Sequence, residues 1–255
     1  MAHKVSGVGV SVAATADNGG SGTRTIQNEI LLGLPRTERL SLLSKMEFTE
    51  LPARRILTEV DQPIEFAYFL NRGVASIITA MSEGKSVEVG LTGREGFVGL
   101  PLLVGYSTSP TRAIIQIEGD GFRISTRDFK SALCTCPKLE TSLQRYSQEL
   151  AVQSIQIAAC NRLHEVDRRL ARWLLMSHDR VGNFTFPLTQ EFISHMLGTR
   201  RASVTVAARH LQKAGLITYK RGQVTIKKRT GLERAACECY QRINQRLENW
   251  RQDTR

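Results

Sequence analysis

The chain has no apolar run approaching the ~20 residues that a membrane-spanning helix requires, so no membrane partner is expected. Its five cysteines are odd in number and thinly spread over 255 residues, which excludes the disulfide framework of a small secreted domain. No C-x2-C pair is present, and no cysteine precedes Cys134. Zinc-finger and iron–sulfur spacings are therefore missing, and neither metal nor cofactor is expected. Two Cys-x-Cys pairs, Cys134/Cys136 and Cys237/Cys239, could hold an ion only if they met in space. Reduced thiols point to a cytoplasmic location. Acidic residues are also short, 24 against 35 Lys and Arg, leaving a net charge of +11 and favouring a polyanionic partner.

Catalytic constellations are absent as well, and no enzyme is expected. Gly84-Lys85-Ser86 resembles the end of a phosphate-binding loop, but Thr79 stands where the first glycine is required, so a hairpin turn is the better reading. His164-Glu165 lacks the second histidine of a zinc-protease helix, because Arg168 occupies that place. Asp128, Glu149 and Asp167 form no pair suited to acid–base work. Val5–Ala16 follows Lys4 but is diluted by Gly, Ser and Ala, which argues against an export signal. Residues 1–25 are expected to be a disordered tail.

What is present falls into three stretches. Residues 26–47 carry helical spacing, with Pro35 opening a second short helix. Phe48 to Ser125 holds short apolar runs at 66–70, 74–79, 87–91 and 113–117. Turn signals separate them at Asn71-Arg72-Gly73, Ser82-Glu83-Gly84 and Gly119-Asp120-Gly121, a pattern that predicts an antiparallel sandwich or barrel. Ser125 is placed to cap a helix over 126–133, and Pro137 separates it from a long helix over 138–163. In that helix Leu143, Leu150 and Ile157 recur every seven residues, interleaved with Leu139, Tyr146, Gln153 and Cys160. Such a seam suits self-pairing, and Ala151, Ser154, Ala158 and Ala159 would admit a close neighbour. A hinge is expected near Leu163–His164. The helix that follows carries Val166, Leu170, Trp173 and Leu174 on an apolar face and Arg168, Arg169 and Arg172 elsewhere.

The strongest signal is Leu188 to Ile226, LTQEFISHMLGTRRASVTVAARHLQKAGLITYKRGQVTI. It reads as two short helices about a glycine turn, then a hairpin turning at Arg221-Gly222. Thr189 and Thr199 are expected to cap the helices, and Gly198 to supply the left-handed turn. From Thr189 to Arg229 there are nine Lys or Arg and one acid, Glu191, so most of the chain's excess charge is concentrated here. A basic helix-turn-helix suits the DNA major groove. Val204, Ala207, Ala208 and Leu211 form the packed face of the second helix, while Arg200, Arg201, Ala202, Thr205 and Arg209 form the opposite one. Arg201 could bond guanine in bidentate fashion, and Thr205 could meet a thymine methyl or a base edge. Arg200, Arg209 and Lys213 suit phosphates, and Lys220 and Arg221 could reach the backbone from the hairpin.

This segment, T-Q-E-F-I-S-x-M-L-G-T-R-R-x-S-V-T through L-Q-x-A-G-L-I, resembles the winged helix-turn-helix of Crp/Fnr-type bacterial transcription regulators. The order of elements over residues 26–227 resembles that family too. The resemblance implies an α+β fold: an N-terminal cyclic-nucleotide-binding-like β-roll over 26–137, a dimerisation helix over 138–163, and a winged helix-turn-helix over 164–230. A helical extension over 231–255 follows. It also implies a homodimer on near-palindromic double-stranded DNA, with RNA polymerase as a further partner. Arg201 stands where the family's base-reading arginine commonly sits, whereas Ala202 and Val206 replace a common glutamate and a common arginine. In the family's nucleotide cassette, Phe-x-Gly-Glu precedes an Arg-Ser/Thr-Ala. Here Leu100 replaces the carboxylate in Phe97-Val98-Gly99-Leu100, and Arg112 is one place out of pattern in Thr111-Arg112-Ala113. Gly96, Phe97, Gly99 and Arg112 remain the candidate effector residues, but an apolar Leu100 cannot accept a ribose hydrogen bond, so cyclic nucleotide is not expected. The competing reading is a small-molecule-binding signalling protein whose basic domain docks an acidic protein.

Overall fold

The computed structural model describes residues 10–12, 24–81 and 85–253. In chain order the elements are β1 (Val10–Val12), β2 (Arg24–Ile26), α1 (Glu29–Leu32), α2 (Arg36–Leu43), β3 (Met46–Leu51), β4 (Ile56–Thr58), β5 (Phe66–Ala80), β6 (Ser86–Thr92) and β7 (Phe97–Val98). Then come α3 (Leu100–Leu103), β8 (Arg112–Ser125), α4 (Thr126–Thr135), α5 (Pro137–Leu163) and α6 (Val166–Val181). The carboxyl-terminal part holds β9 (Thr185–Pro187), α7 (Gln190–Met196), α8 (Arg201–Lys213), β10 (Ile217–Lys220), β11 (Gln223–Ile226), α9 (Arg229–Ala235) and α10 (Cys239–Asp253). The fold is α+β: an antiparallel front sheet, a long helix, and a helix-turn-helix with a small sheet.

Most of the expected tail lies outside the described residues, as do the turn at 82–84 and Gly84. Within the tail, however, Val10–Val12 pairs antiparallel with Arg24–Ile26 rather than standing free. The front sheet runs in the order β3-β8-β5-β6, with β4 on β8 and β7 on β5. Two expected turns are not turns. Asn71-Arg72-Gly73 lies inside the continuous β5, and Gly119-Asp120-Gly121 lies inside β8 opposite it. The register slips there, between Leu70 and Ala75, so these residues bend long strands instead of ending short ones. Arg72 on β5 meets Asp120 on β8 across the bulge.

Helix starts follow local chemistry. The Asn28 side chain accepts from Leu31 N–H at the head of α1, and its amide donates to Leu70 O and Gly96 O, tying that helix to the sheet. Ser125 Oγ accepts from Asp128 N–H at the head of α4, and Pro137 opens α5.

The seven-residue seam of α5 is consumed within the chain, which corrects its reading as the self-pairing face. Leu139, Leu143, Tyr146 and Leu150 join the front core, and Ile157 joins a second. Gln153 accepts from Leu91 N–H at 2.7 Å and donates to Leu91 O at 3.3 Å, an edge contact to β6. Heptad spacing marks a covered face without saying what covers it. Here β6 and α10 do so, with Trp250 of α10 against the Tyr146 ring. The outward face of α5 carries Ala151, Ile155, Ala158, Ala159 and Leu163, with Ile155 69% and Leu163 74% exposed.

Helix α6 is covered almost all round. Arg169 and Arg172, expected away from the apolar face, are buried, and so is Arg180. One apolar core runs from Val74, Ile78, Leu91 and Ile117 of the front sheet through Trp173 and Leu174 to Val204 and Leu211 of α8. A polar seam accompanies it. Trp173 Nε1 donates to Glu88 Oε1 at 2.9 Å, Gln116 Nε2 donates to Ser177 Oγ at 3.0 Å, and Arg180 Nε meets Glu95 Oε1 at 2.7 Å. The expected hinge coincides with a real break: α5 ends at Leu163 and His164 is extended (φ −117°, ψ 146°) before α6 begins.

Candidate nucleic-acid interface

Thr189 Oγ1 accepts from Phe192 N–H and starts α7 as expected. Gly198, at φ +55°, turns the chain toward α8, a conformation that disfavours a side chain. A Cβ there would also meet Val87 Cγ2 at 3.0 Å, so the turn rests against β6. The cap of α8 differs from expectation. Arg200, not Thr199, is the N-cap residue, and no side chain caps the helix. The free N–H groups at that end remain available to an anion.

Val204, Ala207, Ala208 and Leu211 are buried, and the face away from them bears Arg200, Arg201, Ala202, Val206, Arg209 and Lys213. Thr205 is half-buried, and its hydroxyl lies 2.8 Å from Gln190 Oε1 and 3.0 Å from Arg201 O. The single hydroxyl proton serves one of these acceptors at a time. Gln190, at the first position of α7, was missed in the sequence. Its signal was the Thr-Gln opening of that helix, which sets its side chain beside α8. Val206, 47% exposed, adds an apolar contact surface.

The hairpin is built as the sequence suggested. Strands β10 and β11 pair Lys220 with Gln223 across a two-residue turn, with Arg221 at φ +51° and Gly222 at φ +74°. Strand β9 pairs with β11 on its other edge. Tyr219 fastens this wing to the helices: its N–H donates to Gln212 Oε1 at 2.8 Å and its hydroxyl to Leu188 O at 2.9 Å. Lys220 and Arg221 are exposed at the tip. Among the described residues, no carboxylate pairs with Arg200, Arg201, Arg209, Lys213, Lys220 or Arg221. Six cations thus face outward on one helix and its wing with their charge uncompensated by the protein.

The candidate effector residues do not converge. Phe97 is buried, stacked on Phe69 and Phe129, so it serves the core rather than a cavity. Gly96 gives its carbonyl to Asn28 and lies flat against Tyr146, where a Cβ would come within 2.3 Å of the ring. Gly99 heads α3 at φ +129°. Phe97 pairs with Phe69 near the start of β5, whereas Arg112 pairs with Ile78 near its end. Arg112 also makes a two-point contact to Glu59, at 3.0 and 2.9 Å, and its hydrogen bond holds the Glu59 carboxyl below the usual range. The arginine expected to meet a phosphate is therefore already bonded to a carboxylate, away from the glycine loop.

Residues 168–235 match the family model described as the Crp-like helix-turn-helix domain. Over about three quarters of its length the chain is similar in fold to solved bacterial regulators. FixK2 of Bradyrhizobium japonicum aligns with a TM-score of 0.64 at 15% identity, over 75% of this chain and 98% of that one. The c-di-GMP responsive global regulator CLP of Xanthomonas campestris aligns with 0.63 at 16%, over 75% and 99%. A CRP-family transcriptional regulator of Thermus thermophilus aligns with 0.61 at 18%, over 74% and 96%. None of the curated proteins is significantly similar in sequence. The chain thus carries a Crp-like helix-turn-helix on a fold shared with Crp/Fnr regulators. No helix among the described residues is long and apolar enough to cross a membrane.

Proposed function

We propose that this protein is a sequence-specific, double-stranded-DNA-binding transcription regulator, non-enzymatic and cytoplasmic, that acts as a homodimer without cyclic AMP. The observation that carries the proposal is the outward face of α8 and the wing tip, where six unpaired cations flank the short side chains Ala202, Thr205 and Val206. Arg201 reads a guanine edge, Val206 and the Thr205 methyl contact thymine, and Arg200, Arg209, Lys213, Lys220 and Arg221 take phosphates. Gln190 holds Thr205 in place from α7.

Two copies pair through the outward face of α5, where Ala151, Ala158 and Ala159 permit close approach around Ile155. Such a dimer sets its two α8 helices about one DNA turn apart, roughly 34 Å, on a near-palindrome. Cyclic nucleotide has no counterpart for its ribose at Leu100, and Arg112 is held by Glu59. Selection of random-sequence duplex DNA by the full-length protein tests the reading. Enrichment of a two-fold symmetric site with half-sites one turn apart supports it. Equal binding of all sequences, with capture of an acidic protein on the same face, would replace it with the signalling-adaptor alternative.

A further inference from the structure

Three thiols and one imidazole converge at the break between α5 and α6, outside the DNA-facing surface. Cys160 lies on the last turn of α5, and His164 follows it at the joint. Cys237 and Cys239 lie where α9 gives way to α10. The four donor atoms lie within 4.8 Å of one another. Cys160 Sγ is 3.4 Å from Cys237 Sγ, and Cys239 Sγ is 3.6 Å from His164 Nδ1. A tetrahedral zinc ion, with Zn–S of about 2.3 Å and Zn–N of about 2.05 Å, sets its donors roughly 3.8 Å (S to S) and 3.5 Å (S to N) apart. The two separations nearest to contact, 3.4 Å between sulfurs and 3.6 Å from sulfur to nitrogen, lie within about 0.4 Å of those values, and all four donors fall inside 4.8 Å.

We infer that Cys160, His164, Cys237 and Cys239 form a mononuclear Cys3His site for a zinc-class divalent cation. The surroundings are built for it. His164 turns Nδ1 to the thiols while Nε2 meets Glu238 Oε1 at 3.2 Å, a carboxylate–histidine arrangement that orients a ligating ring. Gln156 Nε2 donates to Cys239 Sγ at 3.1 Å, as suits a thiolate. Three thiolates around a divalent ion leave one negative charge. Arg169 and Arg172, both buried and each with an unbonded Nε, supply positive charge beside it. Among the described residues no carboxylate forms an ion pair with Arg169 or Arg172, so without an anionic centre these two buried guanidiniums would be poorly compensated.

A polynuclear iron–sulfur cluster spreads its thiolates over several irons and does not suit so tight a donor set. Four protein donors leave no open position, so the site is structural. It fastens the α9–α10 segment to the joint that leads into the DNA-binding helices. The sequence expectation of no metal is thereby revised, for a specific reason. Cys237/Cys239 is completed not by Cys134/Cys136 but by Cys160 and His164. Cys134 is exposed, and Cys136 is buried in the front core.

The full-length protein, expressed with zinc and purified under reductant without chelator, should retain one zinc per chain by elemental analysis. Replacement by Co(II) should give a thiolate-to-cobalt charge-transfer band with tetrahedral d–d absorption, and X-ray absorption should count three sulfurs and one nitrogen. Cys237→Ser and His164→Ala should lower metal content from one to near zero, while Cys134→Ser leaves it at one. If the variants fail to fold, the cobalt and X-ray absorption spectra of the unaltered protein decide the matter alone. Reduced protein that holds no zinc and gives no thiolate–cobalt band would overturn the site. So would a Cys160–Cys237 disulfide formed under reductant, or a loss in Cys134→Ser as complete as in Cys237→Ser. None of these readouts depends on DNA binding.

Discussion

Replacing Glu88 by Gln should remove a pH dependence built into the contact between the front sheet and α6. Glu88 is buried, and burial pushes its carboxyl from 4.5 up to about 7 against the opposing pull of Ser76, Arg172, Trp173 and Arg180. Ser76 Oγ lies 2.6 Å from Glu88 Oε2 and 2.7 Å from Gln116 Oε1. One hydroxyl proton cannot serve both acceptors. A protonated Glu88 resolves this by donating to Ser76, which then donates to Gln116. The folded-state pKa lies above the unfolded one, so the stabilisation is full below 4.5 and is lost as pH rises through about 7. Glutamine reproduces the neutral carboxyl at every pH. At about 1.36 kcal/mol per pH unit, Glu88→Gln should exceed the parent by about 1 kcal/mol at pH 5 and by about 3 kcal/mol at pH 7 and above. Denaturant unfolding of both proteins at pH 5, 6, 7 and 8 measures the gap. Parallel curves with no widening between pH 5 and 7 would refute the reasoning.

Asp179 shows the opposite sign. Burial works to raise its carboxyl, but His178, Arg229 and Asn244 outweigh it and hold the group at about 2, so its stabilisation is present above 3.8 and lost as pH falls through about 2. Asp179→Asn should therefore cost about 2 kcal/mol at pH 7 in denaturant unfolding, a gap that closes in acid. Ile155→Glu, on the outward face of α5, should turn the dimer into a monomer in sedimentation equilibrium with the fold intact by circular dichroism. Lys220→Ala, at the wing tip, should weaken binding to all DNA sequences alike and flatten the logarithmic salt dependence by about one unit, read by fluorescence anisotropy.

Much of the carboxyl-terminal half was legible because each feature there has a local cause. Thr189 caps, Gly198 turns left-handed, and Arg221-Gly222 closes a tight hairpin, all through the backbone chemistry of single residues. The front sheet was legible as short strands but not in its joints. Gly73 and Gly119 announce a special backbone equally well for a turn and for a bulge, and only the β5–β8 pairing decides. The α5 seam was found correctly as a buried stripe, but its partners, β6 and α10, lie far away in sequence. Arg169 and Arg172 were set away from the packed face because charge argues for solvent, whereas what encloses them is not near them in sequence. Leu197, whose carbonyl accepts from Arg169, and Cys237, beside both guanidiniums, come from distant segments. Gly96 and Phe97 carried the outline of a nucleotide cassette, whereas their places against Tyr146 and Phe69 are long-range packing.

The central claim, that α8 reads base edges through Arg201, is tested most directly by measuring how Arg201→Ala binds a selected operator and a scrambled duplex at matched salt. The account predicts that discrimination falls by about 1–3 kcal/mol per guanine contact while salt-sensitive binding to scrambled DNA persists. An unchanged preference for the operator would contradict it.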